Sequence, residues 1–198
     1  MNHFLPGMGA TSAMYGEVWR QAFEGCYHDW PRWRGEEAIK AMARRMISEG
    51  GIVEGDTVIG TSLGGIVACE IANLVELDQV VLIGSARRKG EVSQVLAALH
   101  PLIDVTPVSW AQFSSGKVPG ALAEMFAESD PDFIREMSKA IFRWDGLVNE
   151  VPVFRIHGAR DLVIPKPEDA NCILDGGHLI AMTHAAECVE ALKEALII

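Results

Sequence analysis

Residues 56–76 read DTVIGTSLGGIVACEIANLVE and join a short apolar strand, a serine between glycines and a helical pattern. We predict a strand over residues 56–59 and a helix over residues 63–76, where apolar side chains recur at helical spacing. Between them, Gly60-Thr61-Ser62-Leu63-Gly64 matches G-x-S-x-G, a turn so tight that the central serine projects outward. The pattern is also compatible with an ordinary strand-to-helix turn in which Ser62 only caps the helix.

Strands and helices alternate along the chain, an order typical of a parallel sheet. We predict further strands over residues 2–5, 27–30, 79–83, 151–156 and 172–174, and further helices over residues 12–23, 36–49 and 183–196. The expected fold class is therefore α/β. Residues 1–198 are expected to form a single three-layer α/β/α domain with a mostly parallel sheet of about six strands.

The segment over residues 85–150 shows no strand pattern and is predicted to form a small helical cap inserted between two strands. Its helical stretches fall at about residues 91–99, 120–127 and 132–144. The candidate substrate-binding side chains of this segment are Trp110, Phe126, Phe133 and Trp144. Aromatic side chains at helical spacing more often stabilise a core than line a pocket, so both interpretations stay open.

Composition restricts the class of protein. Of the 198 residues, 49% are hydrophobic and 22% are charged, which is enough apolar material for a sizeable core. The formal charge of −10 repels polyanions, so nucleic acid is not an expected partner. The apolar runs are shorter than the roughly 20 residues that span a bilayer, and no secretion signal is recognisable. We therefore expect a cytoplasmic protein with no membrane span.

Four scattered cysteines form no C-x-x-C pair; they are Cys26, Cys69, Cys172 and Cys188. Reduced thiols in a cytoplasm fit this pattern best, and two disulfide pairings stay an open alternative. No cluster of histidines and carboxylates has metal-ligand spacing, so neither a metal nor another cofactor is expected.

A serine hydroxyl needs a histidine to accept its proton and an acid to orient that histidine. Asp161 follows the predicted strand that ends at residue 156, and His178 follows the last short strand. Loops after parallel strands meet at one edge of a sheet, so Ser62, Asp161 and His178 can meet there. Taken alone, Asp161 is also compatible with a turn cap. The competing histidines are His3, His28, His100, His157 and His184.

Three stretches carry a family resemblance: Gly60-Thr61-Ser62-Leu63-Gly64 between strand and helix, Ile156-His157-Gly158-Ala159-Arg160-Asp161, and Gly176-Gly177-His178-Leu179. With them, the chain resembles the α/β-hydrolase superfamily over nearly its whole length. The resemblance implies that Ser62 is the nucleophile, that His178 is its general base and that Asp161 orients the imidazole.

The resemblance also implies an oxyanion hole made of the backbone N–H groups of Leu63 and Met8, the second from the loop Leu5-Pro6-Gly7-Met8-Gly9. This chain has Pro6 where a histidine is common in that loop, and Thr61 where a histidine often precedes the nucleophile. It begins with the strand before this loop, so the topology is expected to lack the first strands of the family. The early sheet edge is then expected at residues 27–30, where either His28, Asp29 and Pro31 discourage strand addition or a partner subunit covers the edge in a homodimer.

The function implied by the resemblance is hydrolysis of a small-molecule ester or thioester with a small, largely apolar acyl group. The reaction would pass through a Ser-His-Asp triad and an acyl-enzyme intermediate, without a cofactor. The residues alone do not separate ester, thioester, lactone and carbon–carbon bond cleavage.

Two alternatives remain at this point. Gly7 and Gly9 follow the first strand, and Asp29 lies 22 residues after Gly7, close to the spacing of a dinucleotide-binding fingerprint. Ser12 stands at its third glycine position, so an NAD(P)-binding Rossmann-type oxidoreductase is a near match only. The other alternative is a hydrolase fold that binds a ligand without turning it over.

Overall fold

The computed structural model describes residues 1–92 and 120–196. Within these residues, six parallel strands form one sheet in the order β2-β1-β3-β4-β5-β6. The strands are β1 (Asn2–Leu5), β2 (Cys26–Tyr27), β3 (Thr57–Thr61), β4 (Gln79–Ile83), β5 (Val153–Gly158) and β6 (Cys172–Leu174). The prediction of a parallel sheet of about six strands is confirmed.

Helices connect the strands. In chain order they are α1 (Glu17–Ala22), α2 (Ile39–Gly50), α3 (Leu63–Ala72), α4 (Gly120–Glu128), α5 (Pro131–Ile141), α6 (Ile180–Thr183) and α7 (Ala185–Leu196). Short 3-10 turns occur at Ser12–Met14 and Lys89–Glu91. Among the described helices, none has the length and apolar character needed to cross a bilayer.

Two apolar clusters lie on opposite faces of the sheet and account for the three layers. Successive residues of the central strands point to opposite faces, so Val58 and Val80 join one cluster while Ile59 and Val81 join the other. Helices α2, α3 and α5 cover the first face, and α1, α6 and α7 cover the second. Burial on both faces explains why the central strands read as continuous apolar runs.

The described part of the predicted cap packs against the main core of the domain. Phe133, Met137 and Ile141 of α5 are buried in the same cluster as Met42 of α2. The apolar face of α5 therefore belongs to the main core. The predicted helix over residues 91–99 falls largely on residues that the structure does not describe, and the cap as a unit stays a prediction.

Several element boundaries differ from the predicted ones for local reasons. Strand β3 continues to Thr61 because Gly60 and Thr61 still pair with β4. The predicted helix over residues 12–23 is divided by an extended Gly16, whose backbone precedes α1. The closing helix, predicted from residue 183, begins at Ala185, because the backbone leaves the helical region at His184 after the short helix α6.

The four cysteines are all unpaired in the structure, which removes the alternative of two disulfides. Strand β2 lies at the sheet edge and has only two residues, close to the predicted early edge. A homodimer across that edge stays a prediction.

Candidate active site

Ser62 occupies a strained turn between β3 and α3. Its backbone φ is 53°, and among the described residues no other non-glycine has a positive φ. The Ser62 N–H donates to the carbonyl of Ile83 at 3.1 Å, and the Ser85 hydroxyl donates to the carbonyl of Ser62 at 2.7 Å. These contacts with β4 and the loop after it fix a conformation that costs on the order of 1–3 kcal/mol in isolation.

The glycines around Ser62 are required by close backbone contacts. A Cβ atom on Gly60 would lie 2.3 Å from the backbone of Gly64, and one on Gly64 would lie 2.5 Å from the carbonyl oxygen of Leu5. Side chains at these positions would separate α3 from β3 and β1. The spacing of the G-x-S-x-G motif thus follows from the packing of this turn.

The Ser62, His178 and Asp161 side chains form a continuous hydrogen-bonded chain. The His178 Nε2 atom lies 2.9 Å from the Ser62 Oγ atom, and the His178 Nδ1 atom lies 2.8 Å from the Asp161 Oδ2 atom. A carboxylate only accepts, so Nδ1 carries the proton toward Asp161, and the Nε2 lone pair faces the serine hydroxyl. The structure therefore brings together the three side chains that the sequence analysis singled out.

Asp161 is held ionised by its partners. Burial alone would raise the pKa of Asp161, but the charge of His178 and hydrogen bonds from His157, His178 and the Ile164 N–H hold its pKa well below the usual range. The Asp161 Oδ1 atom accepts from the N–H groups of Val163 and Ile164, each at 2.9 Å. These bonds orient the second oxygen toward the imidazole.

His157 is a second imidazole beside the same carboxylate. Its Nε2 atom lies 2.7 Å from the carbonyl oxygen of Ile164 and 3.3 Å from the Asp161 Oδ2 atom. A carbonyl accepts only, so Nε2 is protonated and cannot serve as the base. His157 is four residues before Asp161, and only this spacing in the sequence indicates that the two side chains could lie close together.

Leu63 and Met8, the two residues of the predicted oxyanion hole, both lie near Ser62. Leu63 is the first residue of α3, and the first N–H groups of a helix have no partner within it. Gly7 lies against the serine: a Cβ on Gly7 would be 3.6 Å from the Ser62 Cβ atom. Met8, which follows Gly7, lines the same cavity as Ser62. The structure thus brings both residues of the predicted oxyanion hole to the serine.

Trp30 fixes the peptide that contains the Met8 N–H. The Trp30 indole N–H and the Ala10 N–H donate to the Gly7 carbonyl at 2.9 and 3.1 Å. In a trans peptide the C=O and the next N–H point in opposite directions, so holding the carbonyl also fixes the Met8 N–H.

Tyr15 fixes the ends of the two strands that lead into the site. Its buried hydroxyl donates to the carbonyl of Leu5 at 2.7 Å, at the end of β1. The same oxygen lies 2.8 Å from the Thr61 Oγ atom, at the end of β3. Burial raises the pKa of Tyr15, which keeps the hydroxyl protonated as a donor. Neither Trp30 nor Tyr15 had a signal in the sequence, because both act through tertiary contacts.

A narrow apolar cavity opens beside Ser62. The space open to the centre of a water molecule is about 60 Å³. Its described walls are Gly7, Met8, Ala10, Met14, Thr61, Ser62, Leu122, Phe126, Val163, His178 and Leu179. Apolar side chains therefore surround the Ser62 hydroxyl and the His178 imidazole.

Helix α4 forms one wall of this cavity and contacts the loop after β1 directly. A Cβ atom on Gly9, whose φ is +69°, would lie 2.3 Å from the ring of Phe126. The neighbouring Met125 sulfur accepts from the Thr11 N–H at 3.4 Å. Phe126 is thus the predicted substrate-binding residue that the structure places at the cavity.

Two of the other predicted substrate-binding residues lie elsewhere. Trp144 is buried and donates its indole N–H to Glu70 at 3.0 Å, and Phe133 is buried with its ring 5.4 Å from that of Trp30. Neither lines the cavity beside Ser62, because both face the helical layer on one side of the sheet. Trp110 lies outside the described residues.

The loop after β1 lacks the structure of a dinucleotide site. A pyrophosphate site needs the N-terminus of a long helix directly after the glycines. Here the loop leads into a 3-10 turn of three residues, and the ring of Phe126 covers Gly9. The Asp29 carboxylate accepts from the Ser12 N–H at 2.6 Å.

Comparison with family models and with curated proteins found no match. Comparison with solved structures found many similar chains. A hydrolase from Oleispira antarctica has a TM-score of 0.78 at 16% identity, over 98% of this chain and 89% of that one. An enol-lactonase from Burkholderia xenovorans has a TM-score of 0.77 at 15% identity, over 100% and 91%.

A thioesterase from the prodiginine biosynthetic pathway of Streptomyces coelicolor has a TM-score of 0.74 at 16% identity, over 98% of this chain and 89% of that one. At these identities the similarity concerns the fold. The chain has the α/β-hydrolase fold, as the sequence resemblance implied.

Proposed function

We propose that this protein is a serine hydrolase that cleaves an ester or thioester of a small, largely apolar acyl substrate. The observation that supports this most strongly is the hydrogen-bonded chain from Ser62 through His178 to Asp161, with distances of 2.9 and 2.8 Å. An open apolar cavity lies beside its serine. Solved structures with the same fold include a hydrolase, an enol-lactonase and a thioesterase, which agrees with acyl chemistry.

In the first half of the proposed reaction, Ser62 attacks the acyl carbonyl while the His178 Nε2 atom takes the hydroxyl proton. Asp161 stabilises the imidazolium that forms and holds its Nδ1 proton. The imidazolium then gives its proton to the leaving alcohol or thiol. The acyl group remains on the Ser62 oxygen.

The tetrahedral oxyanion is stabilised by the N–H groups of Met8 and Leu63 in this proposal. Loss of one such donor costs on the order of 10²–10³ in rate. In the second half, His178 takes a proton from water, the hydroxide attacks the acyl carbon and Ser62 leaves as the alcohol. The enzyme returns to its starting protonation state.

The cavity favours a short acyl chain. One water molecule needs roughly 10–15 Å³ of the space open to its centre, so about 60 Å³ accepts only a few heavy atoms. Met14, Leu122 and Val163 supply apolar contact for such a chain. We therefore propose a preference for short acyl groups among the ester and thioester substrates.

Covalent labelling tests the nucleophile. The wild-type protein is treated with a fluorophosphonate and analysed by peptide mass spectrometry, with Ser62→Ala and Ser48→Ala, an exposed position on α2, as the matched pair of serine variants. We expect one label on Ser62, retention of labelling in Ser48→Ala and its loss in Ser62→Ala. A label that persists in Ser62→Ala would contradict the assignment.

A series of p-nitrophenyl esters and thioesters of increasing chain length tests turnover and acyl preference. We expect kcat/KM to be highest for short chains and to fall to background in Ser62→Ala. Saturable ligand binding without turnover of any member would instead support the non-catalytic alternative. Saturation by NAD(P) would support an oxidoreductase.

A further inference from the structure

Two imidazoles and a thiol meet at the β2 edge of the sheet, outside the cavity beside Ser62. His3 in β1 and Cys26 in β2 are paired in register, so their side chains share one face. His28 lies two residues after Cys26 and returns to that same face. The three ligand atoms all lie within 4.8 Å of one another. The closest pair is the His3 Nδ1 atom and the His28 Nε2 atom, at 2.9 Å.

Asp56 orients the His3 ring for ligation. The Asp56 Oδ2 atom lies 3.1 Å from the His3 Nε2 atom, so Nε2 carries the proton and donates to the carboxylate. The lone pair of His3 Nδ1 then faces His28 and Cys26. A carboxylate on the remote nitrogen of an imidazole is the usual outer-shell arrangement around a metal-bound histidine.

We propose that His3, Cys26 and His28 bind a late first-row transition-metal ion of the Zn²⁺ class through Nδ1, Sγ and Nε2, respectively. Zinc prefers imidazole nitrogen at about 2.0–2.1 Å and thiolate sulfur at about 2.3 Å, in a tetrahedron. Those lengths place neighbouring ligand atoms roughly 3.3–3.6 Å apart. The spacing in the structure, from 2.9 Å to at most 4.8 Å, needs only small side-chain rotations to reach that geometry.

Metal binding releases one proton in total and leaves one coordination position open. The Cys26 thiol releases one proton to solvent and becomes the thiolate ligand. The proton on His28 Nε2 moves to Nδ1 of the same ring, which frees the Nε2 lone pair. Cys26 and His28 are both partly exposed, so water completes the tetrahedron from the solvent side.

The site was not expected from the sequence because its residues do not have a compact ligand spacing. His3 and His28 lie 25 residues apart along the chain, and only the parallel pairing of β1 with β2 brings them together. A metal at this position would connect the two-residue edge strand β2 to β1. Metal binding to the folded state alone raises its stability by mass action.

Zinc titration against a chelating indicator, with the full chain reduced and free of metal, tests the proposal. The variants are Cys26→Ser and His28→Gln, and the controls are Cys172→Ser and His184→Gln, which change the same residue types outside the cluster. Circular dichroism establishes that each variant is folded. We expect one zinc ion per chain and one proton released, with affinity reduced by at least about 100-fold in each cluster variant and unchanged in the controls.

Substitution with Co²⁺ gives a second readout, a thiolate-to-cobalt charge-transfer band that Cys26→Ser abolishes and Cys172→Ser retains. A wild-type protein that binds zinc no more tightly than Cys26→Ser, or folded cluster variants with unchanged affinity, would overturn the proposal. Fluorophosphonate labelling of Ser62 is measured in parallel. Its outcome bears on the proposed hydrolase alone, so the two proposals fail independently.

Discussion

Single hydrogen bonds in this protein position groups of the candidate site through a neighbouring residue. The Trp30 indole N–H never reaches Ser62, yet it holds the Gly7 carbonyl and thereby the direction of the next N–H. Asp161 likewise acts through His178, whose tautomer it selects. At the scale of the residue, a side chain therefore positions a group near Ser62 by a hydrogen bond to the end of that group that points away from Ser62.

Replacing Trp30 by Phe removes the indole donor and retains most of the apolar ring. We expect kcat to fall about 10-fold with little change in KM, because the Met8 N–H itself remains; loss of a donor costs 10²–10³. Trp33→Phe is the matched control, since the Trp33 indole donates to the Glu36 carbonyl instead. Equal kinetics for Trp30→Phe and Trp33→Phe would remove the positioning role.

Replacing Asp161 by Asn retains the shape of the side chain and reverses its hydrogen bonding to His178 Nδ1. The wrong imidazole tautomer then faces Ser62, and we expect kcat to fall by about 10⁴. Asp175→Asn, an exposed change in a nearby loop, should leave kcat unchanged. Steady-state hydrolysis of a short p-nitrophenyl ester measures both, and a loss below tenfold in Asp161→Asn would argue against an orienting carboxylate.

At the scale of the element, helix α4 packs directly against the loop after β1. The Phe126 ring lies where a Cβ on Gly9 would be, and Met125 accepts from Thr11. The loop that carries the Met8 N–H is thus shaped partly by a helix from the segment between β4 and β5. Movement of α4 would change the cavity and this loop together.

The Gly9→Ala variant tests this contact. Its methyl group meets the Phe126 ring, and its positive φ adds strain, so we expect a stability loss of about 1–3 kcal/mol and reduced kcat/KM. Adding Phe126→Ala removes the steric part and should restore part of the activity. Gly90→Ala, where a Cβ meets nothing within 4 Å, is the control. Urea unfolding and ester kinetics report on both effects, and no recovery in the double variant would contradict the contact.

The order of elements was predictable because local patterns encode it, whereas the partners of buried side chains were not. The position of Ser62 in the turn after β3 was predictable because glycine spacing and apolar runs are local signals. Phe133 and Trp144 were misplaced because helical spacing shows which side chains share a face and not which neighbour that face meets. Arg155 illustrates the same limit: it is buried in β5 and pairs with Glu91 and Asp169.

At the scale of the whole molecule, the parallel sheet brings the residues of the candidate site to one edge. The loops after β1, β3, β5 and β6 all leave the same edge, so residues distant in sequence meet there. Strands β1 and β3 are neighbours in the sheet, and the strand order reverses between them. The turn after β3 and the loop after β1 are therefore adjacent. This part of the site followed from the sequence, because chain order and strand direction suffice for it.

The pH dependence of turnover follows from the state of the two partners of Ser62. A general base accepts a proton only when it is itself deprotonated, so we expect kcat/KM to fall toward acid pH, where the proposed base is protonated. The pKa of Asp161 is lowered, so its carboxylate stays ionised and adds no second limb near neutral pH. A flat profile in buffers of constant ionic strength would contradict His178 as the base.

The same carboxylate links pH to stability. Because the pKa of Asp161 is lowered on folding, its ionised form stabilises the folded state above the ordinary carboxyl range, and this contribution decreases as the pH falls below about 4. We expect wild type to exceed Asp161→Asn in thermal midpoint at pH 7 and the difference to narrow at pH 3. A difference that widens on acidification would reverse the sign and contradict the lowered pKa.

The separation of Ser62 from His178 along the chain has a consequence for synthesis. The two residues are 116 positions apart, so a ribosome exposes the hydroxyl well before the imidazole that would activate it. On the proposed mechanism, a chain that lacks residue 178 and everything after it has no base for the Ser62 hydroxyl and would be inert toward acyl compounds.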